Sequence, residues 1–148
     1  MRPFRPAEMD TLLVIERASF GRDAYDRKLF AEYAQICGSL FLVLEGIPAP
    51  APKLAAYSIA CICRSRPGLA NLISIAVHPD ARGRGAASLL LQSTVRRLKL
   101  RGINRLTLMV RKSNAPAIHF YERHKFKFVR RLPNYYGRED GLLMRRAL

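Results

Sequence analysis

Three groups of residues have the types and spacing to do chemistry. The first is the run from Ile75-Ala76-Val77 through Arg82-Gly83-Arg84-Gly85 to Ala86-Ala87-Ser88, an apolar stretch, a turn with two glycines and the start of an amphipathic segment. Such a turn, entering a helix, points several backbone N–H groups at one anion, and glycines at 83 and 85 let phosphate oxygens approach the backbone. Taken alone, the turn either cradles a pyrophosphate or merely reverses the chain. It is not a P-loop, having no Gly-Lys-Ser/Thr, and it lacks the third glycine and acidic partner of a dinucleotide fingerprint. In the second group, Ser113 to Phe126, Asn114 can cap a helix or hydrogen-bond a ligand, and Tyr121 is either a core aromatic or a proton donor. The third group is aromatic: Phe20 and Tyr25 in one connection, Tyr135 and Tyr136 in another.

Regular elements must hold these residues. Pro6 opens a helix with acidic residues early and Arg17 near its end, and Asp26 caps a second helix that Gly38 terminates. Apolar runs at 39–45, 54–63 and 69–77, separated by Pro- and Gly-bearing turns, predict an antiparallel meander of three strands. The period then changes: Ala87, Leu90, Leu91, Thr94, Val95 and Leu98 form one face of a helix that stops at Gly102. A strand at 106–111, a short helix capped by Asn114, a strand at 126–132 and a final strand from Gly141 follow. The expected order is ααβββαβαββ, a mixed α/β (α+β) sheet with helices on both faces, built as a single domain over 1–148.

Composition narrows the function. No apolar stretch reaches the roughly 18 residues of a membrane-spanning helix, and a cytoplasmic location is expected. Cys37, Cys61 and Cys63 are too few for a disulfide framework; Cys61 and Cys63 read as small core residues on one strand face. No metal is expected, since no cysteine has further ligands at metal-binding spacing. His78, His119 and His124 read as capping or surface groups. The net charge is +15, and residues 96–148 alone hold 15 Lys/Arg against 3 Asp/Glu, giving +12 there. That field suits an anionic cofactor, RNA or a ribosomal surface, or is a solvated basic face.

The resemblance carried by these residues is specific. Arg82, Gly85 and Ala87 resemble the Arg/Gln-x-x-Gly-x-Gly/Ala acetyl-CoA motif of the GNAT superfamily, and Ser113-Asn114, Ala117-Ile118 and Tyr121 resemble its S-N-x-x-A-I-x-x-Y block. Asn134-Tyr135-Tyr136-Gly137-Arg138-Glu139-Asp140-Gly141 is similar to the C-terminal signature of the ribosomal-protein alanine N-acetyltransferases and the protein N-terminal acetyltransferases. The resemblance implies the GNAT fold and acetyl-CoA as co-substrate. Ile75, Ala76 and Val77 would pair with the pantetheine arm, a backbone N–H at the end of that strand would polarise the acetyl carbonyl, and Gly83 to Ser88 would hold the pyrophosphate. Asn114 would bind pantetheine or cap its helix, and Tyr121 would protonate the departing thiolate. Tyr135 and Tyr136 would line the acceptor channel, with Phe20 and Tyr25 on the opposite wall.

The implied acceptor is a protein N-terminus, with a small amine as the rival enzyme reading and a catalytically silent RNA- or ribosome-binding module as the rival from another class. Two positions depart from the family. Met109 stands where the alanine acetyltransferases carry a glutamate base, so a base would come from elsewhere, Glu45 or Glu16 through water, or the amine would lose its proton to solvent. Lys125 stands where the family has glycine, so the helix before it must stop in another way.

Overall fold

The computed structural model describes residues 1–46 and 53–148; the Pro-rich turn expected at 47–52 lies outside the described residues. The elements are β1 (Arg2–Pro3), α1 (Met9–Phe20), α2 (Arg27–Cys37), β2 (Phe41–Glu45), β3 (Leu54–Ile62), β4 (Leu69–Val77), α3 (Ala86–Leu100), β5 (Arg105–Arg111), α4 (Ala115–Arg123), β6 (Lys127–Leu132) and β7 (Gly141–Ala147). This is the expected mixed α/β order with β1 added in front. Among the described residues the strands form one seven-stranded sheet in the order β1-β2-β3-β4-β5-β7-β6. Two residues carry no periodicity, so β1 was not legible. It exists because Arg2 and Pro3 pair with Val43 and Leu42 while the Arg2 guanidinium binds Glu8 at 2.6 Å and Glu45 at 2.8 Å.

The residues fall into two compact units, Met1–Cys61 with Ser74–Arg97, and Ile62–Ile73 with Leu98–Leu148. In the first, β2 and β3 pair antiparallel with Val43 opposite Tyr57 and Leu42 opposite Ser58. Alternation then makes two buried faces. Phe41 and Tyr57 meet Phe30 of α2, the Phe30 and Tyr57 rings standing edge to face at 5.7 Å. On the other face Leu42 and Ala56 pack with Ala86 and Leu90 of α3. The predicted α3 stripe is buried as expected at Leu90, Leu91, Thr94, Val95 and Leu98. Asp26 caps α2 by accepting the Leu29 N–H at 2.9 Å, and Gly38 follows its end with φ +55°. The short turn at Gly38–Leu40 delays β2 to Phe41.

Two expectations about the cysteines are corrected. Cys61 is not a plain core residue: it is disulfide-bonded to Cys37, with Cα atoms 4.7 Å apart, while Cys63 is free, and neither Cys61 nor Cys63 is fully buried. The bond arises because the reversal at Gly38 sets the end of α2 beside β3. Cysteine spacing cannot reveal a pair made by two different elements.

In the second unit β5 and β7 pair along their whole length, Arg105 opposite Ala147 through Arg111 opposite Gly141, and β6 pairs with β7 on its far side. Leu106, Leu108, Val110 and Met144 fill one buried face. The strand expected at 126–132 starts one residue later and is irregular. Phe126 is buried before the strand begins, Lys127 to Arg131 are exposed, and a bulge lies between Phe128 and Arg130.

The end of α4 answers the question raised by Lys125. The Phe126 N–H reaches the Tyr121 carbonyl at 3.0 Å and the Lys125 N–H reaches the Glu122 carbonyl at 3.1 Å, a Schellman motif with Lys125 at φ +71°. Its accompanying apolar contact is the Tyr121 ring against Phe126, 5.6 Å between centroids. Helix α3 ends with the same pair of bonds, but through Gly102 at φ +76°. A left-handed lysine costs about 1–2 kcal/mol, and glycine returns part of that to the unfolded chain as entropy. Lys125→Gly is therefore expected to stabilise the protein by about 0.5–1 kcal/mol, read as a higher urea midpoint with an unchanged slope.

Candidate functional site

The strand, turn and helix singled out in the sequence fold as one piece. At the end of β4 the Val77 carbonyl accepts the Arg82 Nε–H at 3.1 Å, and a terminal nitrogen of Arg82 reaches Ser19 Oγ at 3.3 Å. Arg82 thus shapes the turn with its own head group. The His78 N–H bonds the Ala55 carbonyl at 2.7 Å, and the His78 ring accepts the Asp80 N–H at 3.0 Å, the capping role expected of it. Gly83 and Gly85 both have positive φ, +81° and +78°, and among the described residues a Cβ built at either meets nothing within 4 Å. Glycine is required there by conformation, and the space above it is open to a ligand.

The first intrahelical bond of α3 runs from the Leu89 N–H to the Gly85 carbonyl. The N–H groups of Ala86, Ala87 and Ser88 are left at the positive end of a 15-residue helix, the physical requirement for holding phosphate. Ala86 is fixed underneath by Leu42, Ala56, Ile75 and Val77. Pairing of β4 with β5 is parallel but covers only Leu69 to Asn71 against Arg105 to Thr107. A strand edge released in this way can hydrogen-bond an extended ligand.

Phe20, at the end of α1, is 37% exposed. Tyr25 leans on Phe30 and Tyr33 and lines an open groove of about 400 Å³ with Asp26, Lys28, Leu29 and Glu32. Its backbone N–H donates to Glu16 at 2.9 Å. Glu16 is buried, accepts the Tyr57 hydroxyl as well, and is held above the usual carboxylate range by desolvation; Tyr57 in turn contacts Ser74 Oγ at 3.0 Å. Of the two carboxylates named as substitutes for a base, Glu45 is engaged by Arg2 and Glu16 by this buried network. The network was missed, because a glutamate on a helix and a tyrosine on a strand share no local pattern.

The second unit gathers the remaining named residues. Asn114 caps α4, its side-chain oxygen accepting the Ala117 N–H at 3.3 Å. Tyr121 packs edge to face on Phe120 and Phe126. Among the described residues its hydroxyl has no hydrogen-bond partner. Burial first, then the neighbouring Tyr136 hydroxyl, pushes that phenol well above its ordinary pKa, so it stays protonated at neutral and mildly alkaline pH. Tyr136 is also raised, chiefly by burial, and the Arg111 guanidinium stacks 4.4 Å above its ring.

Met109 projects toward the same loop: its Cε would lie 2.7 Å from a Cβ at Gly141, and Tyr135 Cβ 3.0 Å from it. Any side chain at 141 would displace one of them. Glu139, not anticipated, ties the loop to the start of α4 by accepting the Ser113 N–H at 2.8 Å and pairing with Arg111 at 3.1 Å, and the Ser113 bond holds its carboxyl low. The available signal was an acidic pair, Glu139-Asp140, in a region that is otherwise strongly basic.

A strand, a turn with two left-handed glycines and the free N–H groups of a 15-residue helix follow one another in a mixed α/β fold. The chain belongs to the acetyltransferase (GNAT) family, whose family model matches residues 9–126. It is 38% identical over 96 residues to the [ribosomal protein bS18]-alanine N-acetyltransferase of Escherichia coli K12, covering 62% of this chain and 63% of that protein. It is 40% identical over 80 residues to an N-alpha-acetyltransferase of Saccharolobus solfataricus, covering 53% of this chain and 48% of that one. These matches thus span less than two thirds of the relatives' length. Among solved structures, the ribosomal-protein-S18-alanine N-acetyltransferase of Escherichia coli superposes with a TM-score of 0.78 at 29% identity, covering 99% of this chain and 94% of that one. Among the described residues no helix is long and apolar enough to cross a membrane.

Proposed function

We propose that this chain is, over 1–148, a single acetyl-CoA-dependent N-acetyltransferase domain acting in the cytoplasm on a protein N-terminal α-amine, with a ribosomal protein as acceptor. The observation that carries the reading is the Tyr121 hydroxyl, kept protonated by burial and without a hydrogen-bond partner among the described residues, on the helix that the family's S-N block begins. Acetyl-CoA supplies an activated acyl group on a thioester. Ala86, Ala87 and Ser88 bind its pyrophosphate through backbone N–H groups, Ile75 to Val77 hold the pantetheine arm along the released strand edge, and Asn114 spends its oxygen on the helix cap. As the C–N bond forms and the C–S bond breaks, the oxyanion is held by a backbone N–H near Val77 and Tyr121 passes its proton to the leaving sulfur.

The amine proton goes to solvent. An α-amine with pKa near 8 is already partly neutral at pH 7, whereas a lysine amine near 10.4 is not, which favours an N-terminus. Met109 faces the Tyr135 side of the aromatic loop, where a base would act. Met109→Glu is therefore expected to raise the rate by about tenfold near pH 6.5, the low end for a newly placed base, with the gain fading by pH 9 as solvent suffices. A pH–rate profile on a cognate peptide measures it; superimposable profiles would remove position 109 from the acceptor site.

Incubation of a mixture of free-N-terminus peptides and small amines with acetyl-CoA, followed by intact-mass analysis, tests the acceptor class. Acetylated peptides support the reading, and acetylated small amines alone replace it with the rival. A second reading, association with RNA or the ribosome, is favoured by the +12 carried by residues 96–148.

A further inference from the structure

On one face of the second unit's sheet Leu106, Leu108, Val110 and Met144 are buried, and on the other Thr107 and Gly141 are buried among exposed cations. By alternation and register the opposite face carries Arg105 on β5, Arg145 on β7 opposite Thr107, and Lys127 on β6 directly opposite Arg145. Arg130, past the bulge, is opposite Leu143 on that face. All four cations are exposed, and among the described residues none has an acidic partner. The second unit's loop acids are already used: Glu139 holds Arg111 and Ser113, and Asp140 holds Arg131 and Asn134. Like charges directly opposite on neighbouring strands are destabilising, so the Lys127 and Arg145 pair works against the fold unless an anion lies over it.

We propose that the exposed cations on this face of β5, β7 and β6, Arg105, Lys127, Arg130 and Arg145, bind the phosphate backbone of RNA. The cations are spread over three adjacent strands, a two-dimensional array that suits a polyphosphate chain better than one extended acidic peptide lying along a single strand. The array shares its face with Met109 and Arg111, which the aromatic loop overlies. Four residue steps along β7 take the chain from Gly141 to Arg145, about 14 Å. Resting on the acceptor reading above, the geometry places RNA beside the site where an N-terminus enters, as an acceptor on a ribonucleoprotein particle requires.

The test is fluorescence anisotropy with labelled oligouridylate across a salt series. Wild type is expected to bind with an affinity that falls steeply with salt. Lys127→Glu/Arg145→Glu should lose at least tenfold and flatten the log–log salt slope by about 1.4, two phosphate contacts at roughly 0.7 each, while melting no lower than wild type. Arg17→Glu/Arg96→Glu, exposed on α1 and α3, makes the same change in net charge and should lose less than threefold. Lys127→Gln/Arg130→Gln, which adds no new charge, should lose severalfold and keeps the question open to measurement if the reversal variant fails to fold. Equal losses in both reversal variants, no binding at low salt, or displacement of the RNA by polyglutamate at matched charge would each overturn the proposal, the last by assigning the face to an acidic protein. Peptide acetylation without RNA should be unchanged in Lys127→Glu/Arg145→Glu. If wild type binds RNA but acetylates no peptide, the proposed function falls and the RNA face stands.

Discussion

Tyr121→Phe is expected to bind acetyl-CoA and melt like the wild type while turning over at least about a hundredfold more slowly, the low end of what a positioned general acid contributes. The separation follows from what each part of the residue touches. The ring packs on Phe120 and Phe126 and the main-chain carbonyl accepts the Phe126 N–H that ends α4. Phenylalanine keeps all of this. The hydroxyl alone has no partner among the described residues, so its removal leaves no buried group unsatisfied. Because burial and Tyr136 hold the phenol above its ordinary pKa, the wild-type rate should show no loss of this acid between neutral and mildly alkaline pH. Turnover by Tyr121→Phe within threefold of wild type, at normal cofactor affinity and melting temperature, would make Tyr121 a packing residue and nothing more.

Gly85→Val is expected to abolish the stabilisation that acetyl-CoA confers, about 2.7 kcal/mol at a ligand concentration a hundred times Kd. Valine at φ +78° is strained, so the unliganded protein should itself be destabilised by roughly 1–3 kcal/mol. The ligand effect is separate. A Cβ at 85 meets nothing within 4 Å among the described residues, so the branches of valine would occupy the space through which a phosphate would reach the N–H groups of Ala86 to Ser88. The measurement is the ligand-induced shift in melting temperature, each variant against its own unliganded form. A shift equal to that of wild type would take the phosphate away from this turn.

The parts of the fold that were legible are those where one short segment holds the whole cause. Asp26 and Gly38 bracket α2, the apolar stripe from Leu90 to Leu98 is the buried face of α3, and Asn114 caps α4 because each signal needs only its own neighbours in sequence. What escaped depends on partners far along the chain. The Cys37 and Cys61 bond joins residues 24 apart, Tyr57 meets Glu16 across 41 positions, and β1 depends on Val43 and Leu42 as pairing partners and on Glu8 and Glu45 as partners of Arg2. Lys125 lies between these cases. Its departure from the family's glycine was visible, but only the backbone shows that lysine takes the same left-handed conformation glycine would have taken. The candidate site residues were chosen as types in a pattern. That Arg82 spends itself on the Val77 carbonyl, and that Glu139 fastens the aromatic loop to Ser113, follows from the folded backbone and not from any local pattern.

The most direct measurement locates the transferred group. A peptide with a free α-amine and an internal lysine is incubated with acetyl-CoA and the protein, thiol release is followed, and tandem mass spectrometry places the acetyl group. The account predicts one thiol released per acetyl found, every acetyl on the first residue, and neither signal above background in Gly85→Val. Acetyl on the lysine side chain, or no peptide acetylation by a protein that binds acetyl-CoA, would contradict it.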